Sequence, residues 1–261
     1  MVLSAADGGS SLIRVAVSGA PGRLATAVAE AVEASDDLEL TGAYNPKRGG
    51  SPFAGLEVVA DPDEVEADVM VESTNPTVVM DNLRAWRRRG LGAVVGTSGF
   101  TEERLNELRR LWGDERPGCL VVPNFSVGAV LMARFAELAA PHFEQAEVIE
   151  RHHADKPDAP SGTSLNTASR IAAAGGSSST ASSELVAGAR GADVGGVRVH
   201  SVRLEGVISY QEVAFSNSGE LFSVIHQSTT YASFALGAVL SIRHVVDATG
   251  VTVGLDRVLG I

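Results

Sequence analysis

The sequence predicts an α/β protein: a parallel, doubly wound sheet domain followed by a second domain of α+β character. Three observations predict it. Short β-branched runs alternate with helical patterns up to Val122, as in a chain of βαβ units. The first run ends in the small residues Gly19-Ala20-Pro21-Gly22 where it enters a helix. After Pro123-Asn124-Phe125-Ser126 the texture changes to an Ala-rich helix and then to strands that alternate with period two.

Residues 13–17 read IRVAV, a strand, and the helical pattern of 24–33 follows the glycine turn. A second strand over 38–43 is closed by Asn45-Pro46, and a Gly/Pro-rich loop runs to Gly55. Strands at 68–72, 93–95 and 120–122 then alternate with helices at 77–89 and 102–111. In the second half, 127–140 is a helix, 146–153 a strand, 162–174 a helix and 175–183 a Gly/Ser-rich loop. Residues 197–203, 207–215 and 221–226 alternate like antiparallel strands, and 233–246 closes as a helix.

With 21 Lys plus Arg against 32 Asp plus Glu, the formal charge is -11. That argues against a sequence-independent nucleic-acid binder, which needs a basic face. A hydrophobic content of 44% supplies a core and excludes global disorder. The single cysteine, Cys119, permits no internal disulfide and reads as a buried structural thiol. No apolar run approaches the roughly 20 residues of a membrane helix, and residues 1–12 lack a basic segment leading into an apolar one. The expectation is a cytoplasmic protein without membrane partners.

Small residues at Gly19 and Gly22, where a strand enters a helix, let a pyrophosphate approach the backbone and sit on the helix amides. A plain tight turn would use the same residues; the strand and helix on either side favour a dinucleotide. The second strand leads into Asn45, with Lys47 and Arg48 just beyond and no carboxylate to hold a ribose 2'-hydroxyl. NADPH is therefore favoured over NADH, the alternative being a solvated loop with incidental charges.

The sharpest feature is the run Glu150-Arg151-His152-His153-Ala154-Asp155-Lys156-Pro157-Asp158-Ala159-Pro160-Ser161-Gly162-Thr163, a loop between a strand and a helix. Two imidazoles and an ammonium stand beside a helix start where Asp158 or Ser161 can cap and the Gly162 and Thr163 amides can cradle an anion. Such a cradle suits a carboxylate-rich substrate. Adjacent histidines in an extended segment point to opposite sides, which disfavours a metal, and no metal site is expected. Against an incidental surface loop stands the composition: 19 of the 21 basic residues are Arg, and the only lysines are Lys47 and Lys156. An ammonium that can shift its pKa is not replaceable by guanidinium.

These segments resemble the dihydrodipicolinate reductases, also called 4-hydroxy-tetrahydrodipicolinate reductases, over nearly the whole chain. The pieces are GAPGR, GTSGF from Gly96, PNFSVGAVL, the signature RHHADKPDAPSGT, and the stretch GARGADVGGVRVHSVRLEG leading to YQEVAF. The resemblance implies a Rossmann-like dinucleotide domain made of 1–126 and 237–261. It implies a substrate and oligomerisation domain, 127–236, with an open mixed sheet that packs in a homotetramer. It implies NAD(P)H-dependent reduction of a cyclic, unsaturated dicarboxylate in lysine and diaminopimelate biosynthesis. By matching positions, His152 donates or orients the proton, Lys156 pairs with a substrate carboxylate, and His153, Gly162 and Thr163 complete carboxylate binding. Gly19, Gly22 and Arg23 meet the cofactor phosphates, Gly96 and Thr97 its middle, and Asn124 and Phe125 its nicotinamide end. The chain departs from the family pattern at Leu24-Ala25, Glu72-Ser73-Thr74 and Ser98, all on the cofactor side. A relative acting on another carboxylated cyclic imine and a non-catalytic dinucleotide-binding protein are the competing readings; the intact His152, His153 and Lys156 speak against the latter.

Overall fold

The structure, a computed structural model, describes residues 12–178 and 182–261. The expectations for the first eleven residues and for 179–181 of the Gly/Ser-rich loop lie outside the described residues. In chain order the elements are β1 (Ile13–Ser18), α1 (Arg23–Glu33), β2 (Leu38–Tyr44), β3 (Pro52–Phe53), β4 (Leu56–Val59), β5 (Val69–Glu72), α2 (Val79–Arg88), β6 (Gly92–Val95), α3 (Glu102–Trp112) and β7 (Cys119–Val121). They continue with α4 (Val127–Ala139), β8 (Gln145–His152), α5 (Gly162–Ala173), β9 (Ala192–Val194), β10 (Val197–Arg203), β11 (Ser209–Asn217), β12 (Glu220–Ser228), α6 (Ala235–Asp247), β13 (Val251–Val253) and α7 (Asp256–Leu259).

Two compact units result, one from the described residues up to Val122 with Ala238–Gly254, the other from Pro123–Gly237 with Leu255–Ile261. The first holds an eight-stranded sheet of order β13-β7-β6-β5-β1-β2-β4-β3, parallel except for the β3–β4 edge. This is the Rossmann-like sheet expected. Val15, Ala16 and Val17 of β1 are wholly buried, as befits a central strand covered on both faces. Helix α1 buries Ala25, Val28, Ala29 and Val32, a stripe at helical spacing. Trp86, Trp112, Leu83, Leu108 and Met70 form the bulk of one core cluster. The chain leaves β1 for β2 on one side and later enters β5 on the other, so the strand order reverses between β1 and β5. Ligands of open α/β sheets bind outside the carboxyl ends of the strands at such a switch point.

The second unit holds a mixed five-stranded sheet, β12-β11-β8-β10-β9. Val148, Val199, Val213 and Phe215 pack with Ile171 and Ala168 of α5. The antiparallel reading of 197–203 is corrected: β10 pairs parallel with β8 and antiparallel only with β9. Period-two alternation reports a half-buried strand and not the direction of its partner. Because α5 separates β8 from β10, the chain makes a crossover and returns parallel. The loop expected from Asn45 to Gly55 contains β3, which pairs with β4 just beyond it; this two-residue strand starts with Pro52 at the sheet edge, where proline is tolerated. The three-residue β13 also escaped a periodicity reading, yet it extends the parallel sheet beside β7.

Candidate active site

Period-two geometry places Glu150 and His152 on one face of β8. Glu150 is 0% exposed and faces the core side beside Val148. The His152 Nδ1 meets its Oε2. Arg203, opposite His152 in the β8–β10 register, grips the same carboxylate with both terminal nitrogens, at 3.0 and 2.9 Å. The Ser161 amide adds a 3.4 Å contact to Oε1. Burial alone would raise the Glu150 carboxyl, but hydrogen bonds from His152, Arg203 and Ser201 and the charge on His152 bring it down to about 2. A carboxylate ionised at neutral pH therefore backs the imidazole, and Arg203 also donates to the Asp158 carbonyl at 2.5 Å.

The loop beyond β8 turns at His153, whose carbonyl accepts from the Lys156 amide at 3.1 Å. The Lys156 ammonium donates to Asp158 Oδ1 at 2.7 Å. Burial opposes ionisation of Asp158, but the bond and charge of Lys156 and the charge of Arg203 keep its carboxyl below the ordinary range. Ser161 caps α5 by accepting from the Ser164 amide, and a side chain at the exposed Gly162 would meet open space. The Thr163 hydroxyl accepts from the Asn124 amide at 3.0 Å. Asn124 Oδ1 accepts from the Ser126 amide, and Ser126 Oγ meets His226 Nε2 at 2.9 Å. Burial lowers the pKa of His226, which suits a structural partner. Beneath the cap, Ser164 donates to Gln211 and Gln211 to Thr167, both at 2.9 Å. His152, His153, Lys156, Gly162 and Thr163 thus lie on one strand-end, loop and helix start, with Asn124 tied to them and Phe125 buried behind it. Glu150, Arg203 and Gln211 are the participants that sequence reasoning did not assign. For Glu150 the available signal was its two-residue spacing from His152.

In the first unit, Gly19 has φ +90, and a Cβ there would lie 2.7 Å from the Ser73 carbonyl oxygen; one at Gly22 would lie 2.8 Å from the Gly19 oxygen. Only glycine permits this close turn. Helix α1 then starts at Gly22 without a side-chain cap or an acidic first-turn residue, whereas α3, α4 and α5 are capped by Thr101, Ser126 and Ser161. Its leading amides suit an anionic group, and a dinucleotide diphosphate fits. Arg23 is the first residue of α1. The Asn45 amide is committed to the Ala20 carbonyl at 2.7 Å and its Oδ1 accepts from the Lys47 amide, so Asn45 braces the turn. Lys47 and Arg48 are exposed beyond it. Gly96 and Thr97 leave β6 with the Gly96 amide and the Thr97 hydroxyl on the Glu72 carbonyl, at 2.9 and 3.4 Å.

Comparison with known proteins decides the family. A model described as "Dihydrodipicolinate reductase, N-terminus" matches residues 13–125, and its companion "Dihydrodipicolinate reductase, C-terminus" matches 128–259. The chain belongs to the dihydrodipicolinate reductase family. A 4-hydroxy-tetrahydrodipicolinate reductase of Cutibacterium acnes is 45% identical over 256 residues, covering 96% of this chain and all of the relative. One from Streptomyces coelicolor is 48% identical over 256 residues, covering 95% and 98%. A solved structure described as dipicolinate-bound dihydrodipicolinate reductase from Paenisporosarcina sp. TG-14 superposes with TM-score 0.83 at 33% identity, covering 94% of this chain and 99% of that one. As a dihydrodipicolinate reductase, the chain is an NAD(P)H-dependent oxidoreductase that reduces 4-hydroxy-tetrahydrodipicolinate to tetrahydrodipicolinate in lysine and diaminopimelate biosynthesis.

Proposed function

We propose that the Pro123–Gly237 unit binds the dicarboxylate at the start of α5 and that His152 supplies the proton of the reduction. The carrying observation is the commitment of His152 Nδ1 to a buried carboxylate that Arg203 holds from the other side. With Nδ1 engaged, Nε2 is the nitrogen left to pass a proton. The product carries hydrogen where the substrate carries its 4-hydroxyl, so one hydride and one proton enter and one water leaves. NAD(P)H supplies the hydride when bound. Glu150 orients the ring, and the Arg203 fork keeps the carboxylate ionised. Lys156 offers to a substrate carboxylate the ammonium it now gives Asp158. The Gly162 and Thr163 amides at the α5 N-terminus receive the other carboxylate, with His153 completing the cradle. Dipicolinate binding by the Paenisporosarcina relative supports a site for two carboxylates.

In the first unit, Gly19, Gly22 and Arg23 receive the phosphates. Lys47 and Arg48, beyond a strand tip with no carboxylate, favour NADPH. Inhibition tests the substrate site: pyridine-2,6-dicarboxylate competes with the imine, and pyridine-2-carboxylate is at least about tenfold weaker for want of one anchor, near 1.4 kcal/mol. Equal inhibition by the two would overturn the two-anchor reading. For the cofactor, kinetics with NADPH and NADH at one salt concentration are expected to favour NADPH. A preference of about tenfold or more for NADH would reverse the assignment of Lys47 and Arg48.

A further inference from the structure

Glu72 ends β5 opposite Ser18 of β1, at the point where the strand order reverses. It is wholly buried. Its Oε2 accepts from the Trp86 indole at 2.9 Å, the Asn82 amide spans both oxygens at 3.2 and 3.3 Å, and the Thr74 hydroxyl donates to Oε1. All these donors are neutral. Burying a carboxylate with such partners costs more than an apolar side chain of similar size, so core filling alone does not explain it.

The surroundings of Glu72 belong to the dinucleotide site. Its carbonyl receives the Gly96 amide and the Thr97 hydroxyl. The next residue, Ser73, donates its hydroxyl to the Ser18 carbonyl at 2.6 Å, and the Ser73 carbonyl is the wall against which Gly19 turns. Trp86 meets Tyr44 edge to face at 5.1 Å, and Tyr44 directly precedes Asn45, the residue that braces the turn through Ala20. The buried Ser18 hydroxyl has no hydrogen-bond partner, a polar atom left over at the same switch point. From the strand end, the Glu72 side chain reaches the indole of Trp86 on α2.

We propose that Glu72 is a positioning residue for the dinucleotide: anchored on Asn82 and Trp86, its carboxylate fixes Thr74 and the β5–α2 loop against which the glycine turn is set. The proposal rests on the dinucleotide reading of that turn. The test is the equilibrium Kd for NADPH, measured by calorimetry without substrate, on the wild type, Glu72→Gln, Thr74→Val and the double variant, together with melting temperatures and kcat at saturating NADPH. Glu72→Gln turns an amide N–H towards donors and is expected to raise the Kd about tenfold while kcat at saturation stays within about threefold. Thr74→Val is expected to do the same, and the double variant to add little beyond either single change. A lowered melting temperature with an unchanged Kd would make Glu72 merely structural and overturn the proposal, as would full additivity. If Glu72→Gln does not fold, Thr74→Val decides alone, a raised Kd supporting the proposal and an unchanged Kd overturning it. Absence of NADPH binding by the wild type would overturn the turn's reading as well, which separates the two failures.

Discussion

At Lys156 the choice of ammonium over guanidinium is a chemical one. A compact donor on a flexible stem can leave the Asp158 carboxylate for a substrate carboxylate, and a planar fork cannot take its place without changing the geometry. Lys156→Ala is expected to lose most turnover, roughly a hundredfold by the usual worth of a charged hydrogen bond, with the NADPH Kd unchanged. Lys156→Arg recovers only part of it. Turnover and cofactor Kd measured on both variants check this: full activity in Lys156→Arg would reduce the role to charge alone, and equal loss of cofactor affinity in both would remove Lys156 from the substrate site. Lys156 was legible because the composition makes lysine rare. His152 was legible through its company. Arg203 was not, because 53 residues separate it from Glu150 and only the β8–β10 register brings the two together.

At the scale of elements, one carboxylate ties β8, β10 and the start of α5 through His152, Arg203 and the Ser161 amide. That tie has a pH signature. The Glu150 carboxyl sits at about 2 in the fold against its ordinary 4.5. A lowered carboxyl stabilises the fold above its unfolded value and loses that contribution as pH falls through the folded one, so the window runs from about pH 4.5 down to about 2. The contribution is of order 3 kcal/mol. In urea unfolding, Glu150→Gln is expected to be less stable than wild type by about 3 kcal/mol at pH 7, since it leaves Arg203 unpaired, and the gap to narrow by pH 3. A gap constant across that range would contradict the assignment. The long elements were legible from periodicity to within a residue or two, as α1, α3, α4 and α5 illustrate. Sheet order and strand direction were less so: the parallel β8–β10 pair follows from a crossover, and β3 and β13 are too short to carry a period.

At the scale of the whole molecule, a chain of charge -11 that reduces an anionic substrate needs a local reversal of field, and the proposed function assigns that task to the α5 amides and to a Lys156 that leaves Asp158 for the substrate. Among the described residues no helix is long and apolar enough to cross a membrane. Helix α1 starts at a glycine turn without a capping side chain and α5 starts at the Ser161 cap, and the proposed function assigns the diphosphate to the first helix start and the dicarboxylate to the second. The central claim is that the proton of the reduction comes from His152, held by Glu150. The direct measurement is NADPH oxidation with 4-hydroxy-tetrahydrodipicolinate by the wild type and by His152→Gln, alongside the Kd of each for NADPH and for dipicolinate. The account predicts turnover in the wild type and a loss of about 10²–10⁴ in kcat for the variant, with both Kd values within about threefold. Wild-type kcat in His152→Gln would contradict it.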